Sequence, residues 1–296
     1  MLDIITDTHG INLPSRYVIR RLDMSVLDWV TAMGIDGFML RNPSLWKPLL
    51  PFPKTATALQ GLSKLSAHYA QAISSGMSFG IFDTAYLFKH PSAAAANPSS
   101  MLSWRDLDPG QTSFERHGAD QMRDAMDFPL VCIALSVDAF ITPDPRATRD
   151  MYELIPLQQQ LNAFLSSVPE NYGGVGKVRG KRKSSAAQPP TGYGQVLVRS
   201  GCVTRVGYEG QGLATALNRF VLLEAKAWGY RGLRVRLSSP SVMRSYSESP
   251  AGWKMEVVAH WDFEDIEMRD EDGVVVRPYL GSGMKDGWEL WCDLVG

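Results

Sequence analysis

A glycine-punctuated turn, Tyr208-Glu209-Gly210-Gln211-Gly212-Leu213-Ala214, joins a strand-like segment to a strongly apolar helix and constrains the fold more than any other feature of the chain. The residues before it, 195–204, are rich in β-branched and apolar side chains and read as a mostly buried strand. After it, Leu213, Leu217, Phe220, Val221, Leu223 and Trp228 recur at helical spacings, no proline intervenes, and Gly229 supplies a stop. A helix start presents backbone N–H groups without intrahelical partners and the positive end of the macrodipole, so an anion is favoured there. Gly210 and Gly212 let a phosphate approach the backbone and permit positive φ. A Gly-x-Gly tripeptide alone serves equally well as an ordinary tight turn. The turn lacks the Lys-Ser/Thr of a P-loop, and it lacks the third glycine and following acid of a dinucleotide fingerprint.

The downstream order adds weight. Residues 232–237 alternate Leu233, Val235 and Leu237 with Arg234 and Arg236, the pattern of a half-buried strand. A segment carrying Tyr246 then closes on Gly252-Trp253. Trp253, Met255, Val257, Ala259, Trp261 and Phe263 fall at every second position and predict one long strand with a single apolar face. Asp272-Gly273 marks a turn, and 288–294 a last strand.

This order of parts resembles the GNAT superfamily of acetyl-CoA-dependent N-acyltransferases, most specifically over 195–253. The family's turn reads Arg/Gln-x-x-Gly-x-Gly/Ala, and the run from Gly207 to Gly212 matches both glycines while placing Gly207 where Arg or Gln would stand. Val242-Met243-Arg244-Ser245-Tyr246 with Gly252-Trp253 is similar to the family's Asn-x-x-Ala-x-x-Leu-Tyr-x-x-x-Gly-Phe run. Ser239 replaces the Asn, and the tyrosine-to-glycine spacing is longer. The resemblance implies an α/β (α+β) fold with a central mixed, mostly antiparallel sheet flanked by helices. It implies acetyl-CoA or another acyl-CoA as co-substrate, no metal, and direct transfer of the acyl group to an amine of a small molecule or peptide without an acyl-enzyme. Cys202, Val203 and Thr204 would run beside the pantetheine arm. Gly207, Tyr208, Gly210, Gln211, Gly212, Leu213 and Ala214 would hold the pyrophosphate, and Tyr246 would protonate the leaving thiolate. Tyr246 also reads as a packing tyrosine on an amphipathic helix. Gly207, the stretched tyrosine motif and the lack of an evident base fit an alternative, a catalytically idle CoA-binding or interaction module.

In the N-terminal half, 17–22 reads as a strand, Ser25 as a helix cap with Asp28 in the capping-box position, 55–74 as one helix, and 78–82 and 130–137 as strands. Two segments read as insertions into a single elaborated domain spanning 1–296. The first is 89–128, with an Ala/Ser/Pro tract at 91–100; the second is 142–190, with a helix at 147–166 and a loop expected to be mobile. Residues 195–296 form the cofactor-binding half.

A formal net charge of −1 gives no whole-molecule attraction to nucleic acid or to an anionic membrane. Cys132, Cys202 and Cys292 lie far apart, without metal-ligand spacing, and read as reduced thiols of an intracellular, cytoplasmic protein. The basic run 177–183 reads as a solvated loop or, more sharply, as a nuclear-import signal or a contact for a phosphate-bearing partner. The five histidines are scattered, and no serine sits in a nucleophile elbow. For a general base, Asp83 and Asp138 end strands and either face a cleft or cap the next turn, while Glu209 is expected to point to solvent. Trp253, Trp261, Trp288 and Trp291 make the C-terminal strands aromatic. Most should be core, with one or two left to line a pocket for an apolar or aromatic amine.

Overall fold

The structure is a computed structural model that describes residues 5, 7–91, 102–111, 113–171, 188–247 and 252–295. The basic run 177–183 and nearly all of the Ala/Ser/Pro tract lie outside the described residues. Seven strands form one sheet: β1 (Tyr17–Arg21), β2 (Phe79–Asp83), β3 (Leu130–Asp138), β4 (Val196–Thr204), β5 (Gly232–Leu237), β6 (Lys254–Asp262) and β9 (Asp286–Asp293). Two short strands, β7 (Met268–Arg269) and β8 (Val275–Val276), pair apart as a hairpin. The order in the sheet is β1-β2-β3-β4-β5-β9-β6. Every pairing in it is antiparallel except β4 with β5. A parallel pair needs a crossover, and the helix that follows the glycine turn supplies it.

Alternation along the strands divides the apolar side chains between two cores. On β3, Cys132 and Ala134 enter one, while Ile133 and Leu135 enter the other. The helices α1 (Leu27–Ile35), α2 (Lys54–Lys64), α3 (Ser66–Ser74), α4 (Phe114–Asp124), α5 (Pro145–Leu154) and α6 (Gln158–Asn171) pack on the Ile133 face. On the Cys132 face lie α7 (Leu213–Ala227) and α8 (Pro240–Ser247).

Several local expectations shift for identifiable reasons. The first helix begins at Leu27, because Asp23 rather than Ser25 acts as cap: its carboxylate accepts from the Ser25 N–H at 2.8 Å and opens a short 3₁₀ turn. The helix expected over 55–74 breaks at Leu65, and that over 147–166 breaks at Ile155, which takes φ −131° and ψ 80°. Pro156 follows, and a residue before proline is pushed out of the helical region. The strand expected to show one apolar face carries a bulge between Val257 and Ala259. An extra residue reverses the alternation, so Met255 and Val257 pack on the α7 side while Ala259 and Trp261 pack on the other. Leu154, Ile155, Leu161 and Leu165, from the segment read as the second insertion, are buried in the α1-side core.

Candidate functional site: a cleft between β4 and α7

β4 lies against β3 along most of its length but against β5 only from Val196 to Arg199. A bulge leaves Ser200 without a β3 partner, and beyond it the strand leaves β5, so Gly201 to Thr204 have a strand on one edge alone. A cleft of about 390 Å³ opens between this free edge, the glycine turn and the start of α7, with α8 as its far wall. Gly207, Gly210 and Gly212 hold φ of 87°, 75° and 76°. Other residues adopt these values only at a cost of about 1–2 kcal/mol. A Cβ at any of the three would meet no atom within 4 Å. No side chain caps α7, whose N-cap is Gly212.

The turn is braced from the N-terminal half. Tyr208 donates its hydroxyl to Asp83 at 3.0 Å, and Tyr17 donates to the Gln211 side-chain oxygen at 2.6 Å. Arg41 donates to Glu209 at 2.6 Å, to the Thr204 carbonyl at 2.7 Å and to buried Asp36. Arg16 grips Asp83 through two hydrogen bonds of 2.7 and 2.5 Å and holds its carboxyl below the usual range. Burial together with Asp83 pushes the Tyr208 phenol up to about 12.

Of the residues expected to hold a donor, Cys202, Thr204, Tyr208, Gly210, Gly212, Leu213 and Ala214 line this cleft. Val203 points through the sheet into the α1-side core, Gln211 turns away to Tyr17, and Gly207 stands outside the lining. Tyr246 is 1% exposed and sits behind the wall rather than on it. Glu209, Thr215, Asn218, Ser241, Val242 and Ser245 also line the cleft. Asn218 had a readable signal: it is a polar residue among the core-facing positions Leu217, Phe220 and Val221 of an amphipathic helix. Ser241 and Ser245 share one face of α8 through their i, i+4 spacing.

No family model matches the chain, and no curated protein matches it in sequence. Solved structures do match in shape. The C-terminal condensation domain of Ebony, in complex with beta-alanyl-dopamine, superposes with a TM-score of 0.53 at 14% identity over 93% of this chain and 98% of that one. This chain has the GNAT fold. Arylalkylamine N-acetyltransferase 2 from Aedes aegypti matches with a TM-score of 0.47 at 10% identity, over 95% of this chain and 100% of that one. A polyamine N-acetyltransferase from Drosophila melanogaster matches at 0.46 and 11% identity, over 93% and 98%.

Within this GNAT fold the floor of the cleft is polar. Arg199, buried at 5% exposure, donates to the Leu135 carbonyl and the Ser136 hydroxyl at 2.9 Å each, and to the Asn218 side-chain oxygen at 2.8 Å. Its Nε donates to the Tyr246 hydroxyl at 3.4 Å, and burial pushes that phenol up to about 12. The neighbouring Cys132 thiol, with Arg199 and Asn218, holds the Cys202 thiol below its usual value. The strand-end carboxylates are structural. Asp138 accepts from the Phe140 and Gly194 N–H groups at 2.8 and 2.7 Å, and Asp83 accepts from Arg16 and Tyr208. Glu209, expected to face solvent, is 55% exposed and paired with Arg41. His260 bonds Asp286 at 2.8 Å and stacks on Trp288, which is partly exposed; Trp253, Trp261 and Trp291 are buried. Among the described residues no group of three or more His, Cys, Asp or Glu side chains could hold a metal ion, and no helix is long and apolar enough to cross a membrane.

Proposed function

We propose that the chain is an acyl-CoA-dependent N-acyltransferase, acetyl-CoA being the first donor to test, and that the β4–α7 cleft is its donor site. The observation that supports this most is one conjunction: an open glycine cradle at an uncapped helix start, continuous with a strand edge that has no neighbour. The cradle suits a pyrophosphate because a Cβ at Gly210 or Gly212 would project into free space where the donor must approach. The free N–H groups at the start of α7 and the helix dipole favour an anion there. Backbone donors along Cys202 to Thr204 suit an extended pantetheine arm and a developing oxyanion.

Bound acyl-CoA supplies the thioester, which passes its acyl group directly to the amine. The chain's own residues supply position and protons. Tyr246 is the proposed proton donor to the departing thiolate: it keeps its proton throughout the neutral range and follows Ser245, a cleft residue. For the acceptor we propose an apolar or aromatic amine. The partly exposed Trp288 and the acylated aromatic amine held by the Ebony domain support that class. Three free cysteines support an intracellular, reducing location.

The test is calorimetric titration with acetyl-CoA and with CoA, followed by thiol release in the presence of aromatic amines and polyamines. Saturable binding with amine-dependent thiol release supports the proposal. Binding without release from any amine points to a CoA-binding module, a second reading favoured by the burial of Tyr246 and by the engagement of Glu209 with Arg41. No binding of either compound overturns the donor site.

A further inference from the structure

The charges around Arg41 do not balance without Glu209. Asp36, 1% exposed, gives one carboxylate oxygen to Arg41 and the other to Arg123, so a single buried anion holds two guanidinium groups. Arg41 Nε donates to Asp36 at 3.0 Å, and Nη2 is shared between Asp36 and the Thr204 carbonyl, 2.7 Å away. The surplus positive charge is met at the surface, where Asp120 pairs with Arg123 at 3.0 Å and Glu209 with Arg41 Nη1 at 2.6 Å. Asp36 and Thr204 therefore fix the Arg41 head group, at 18% side-chain exposure, while its outer partner, Glu209, is 55% exposed. A pair so open to water is weak and exchanges readily. Glu209 and Thr204 both line the cleft, so Arg41 touches the cleft wall at two points. A carboxylate next to the glycine cradle repels an anion that enters it. Its contact with Arg41 also marks where an anion binds, because carboxylate and phosphate fit the same guanidinium fork.

We propose that Arg41 is a phosphate ligand of the donor site, masked in the free protein by Glu209, and that the donor's pyrophosphate displaces the Glu209 carboxylate from Nη1. This rests on the donor-site reading, which places a pyrophosphate in the glycine turn. The exchange is noncovalent: the carboxylate leaves the guanidinium for solvent, and a phosphate oxygen takes its place. Arg41 need not move, since Asp36 and the Thr204 carbonyl keep their bonds to it. Donor binding thus trades a single carboxylate for a diphosphate that carries more charge and more acceptor oxygens. Glu209 tunes affinity by competition. Its removal therefore tightens donor binding, whereas the loss of a group that merely braced the turn would weaken it.

The test is calorimetric titration of the full chain with CoA and with dephospho-CoA, which keeps the pyrophosphate and lacks the ribose phosphate. Parent, Glu209→Gln, Arg41→Lys and a control, Glu153→Gln, are compared. Glu153 pairs with Lys64 outside the cleft at a similar exposure, 51%, so its loss changes net charge equally. Glu209→Gln should bind both ligands about fivefold more tightly, the scale of one like-charge contact in water. Glu153→Gln should match the parent, and Arg41→Lys should bind about tenfold more weakly, because an ammonium cannot reproduce the fork. Unchanged or weaker binding by Glu209→Gln, with the parent still binding CoA, overturns the masking and leaves the donor reading intact. An equal gain in Glu153→Gln reduces the effect to net charge and overturns it too. A gain for CoA that is absent with dephospho-CoA overturns the pyrophosphate as the displacing group. Parent affinity in Arg41→Lys overturns Arg41 as a ligand. If that variant fails to fold, Glu209→Gln, altered only at an exposed side chain, still decides. Failure of parent and Glu209→Gln alike to bind either compound overturns the donor reading and the masking together.

Discussion

Gly207 and Gly212 form a matched pair that separates backbone strain from ligand contact. Both hold positive φ, 87° and 76°, and a Cβ at either meets nothing within 4 Å, but Gly212 lines the cleft and Gly207 does not. Alanine at each should cost a similar ~1–2 kcal/mol, because the penalty comes from placing a Cβ in the left-handed region. At roughly 2–4 °C per kcal/mol for a domain approaching this size, both melting temperatures should fall by a few degrees. Affinity for CoA should diverge. A methyl group at Gly212 forces the pyrophosphate away from the first N–H groups of α7, weakening about two charge-assisted hydrogen bonds of roughly 1.5 kcal/mol or more each. The sum, about 3 kcal/mol, is a loss on the order of a hundredfold. Gly207→Ala should lose much less. Thermal melts and calorimetric titration of both variants provide the two readouts. Equal losses of affinity, or unchanged affinity in Gly212→Ala, would refute the assignment of the pyrophosphate to this cradle.

Tyr246→Phe should lower turnover about a hundredfold while leaving donor affinity near the parent value; equal rates for variant and parent would remove it as proton donor. Gly232→Ala places a Cβ 2.0 Å from the Trp291 ring, so it should destabilise the sheet by about 3 kcal/mol in denaturant titrations. Asp83→Asn should cost about 1–2 kcal/mol at neutral pH by weakening the grip on Arg16 and Tyr208. The Asp83 carboxyl is depressed in the folded state, so its contribution is complete above the unfolded value near ~4 and is lost as pH falls through the folded value. The stability gap between parent and Asp83→Asn should therefore close below about pH 4, and a gap that stays constant would contradict the assignment.

The parts of the fold written in local periodicity were legible. The helix Leu213–Ala227 with Gly229 at its end, the strand Gly232–Leu237 and the turn at Gly273 fall where apolar spacing and glycine place them. What failed depended on single residues that alter a period. The break at Ile155 was signalled by Pro156, but the leucines on either side share a common spacing that masks it. The bulge after Val257 has no marker in the sequence, since Val258 is as good a strand former as its neighbours. In the cleft, the glycines and the residues flanking them were readable because backbone conformation restricts composition there. The direction of Tyr246 and Val203 was not, because it depends on how β4 and α8 sit against α7. Arg199, a charge directly after Val196-Leu197-Val198, was not singled out from the sequence, because its partners come from β3, α7 and α8 and strand composition cannot name them.

The bracing of the glycine turn makes distant positions part of one device. Tyr17, Arg41 and Asp83 reach the turn from up to 194 positions away in sequence. A fragment beginning near residue 195 would therefore keep every residue of the recognisable motif and lose what holds it in shape. Libraries confined to the C-terminal portion would miss a large share of the positions that tune donor affinity. Substitutions in the first ninety residues, most of them remote from any contact with the donor, should appear in a binding screen as changes in how quickly the donor leaves.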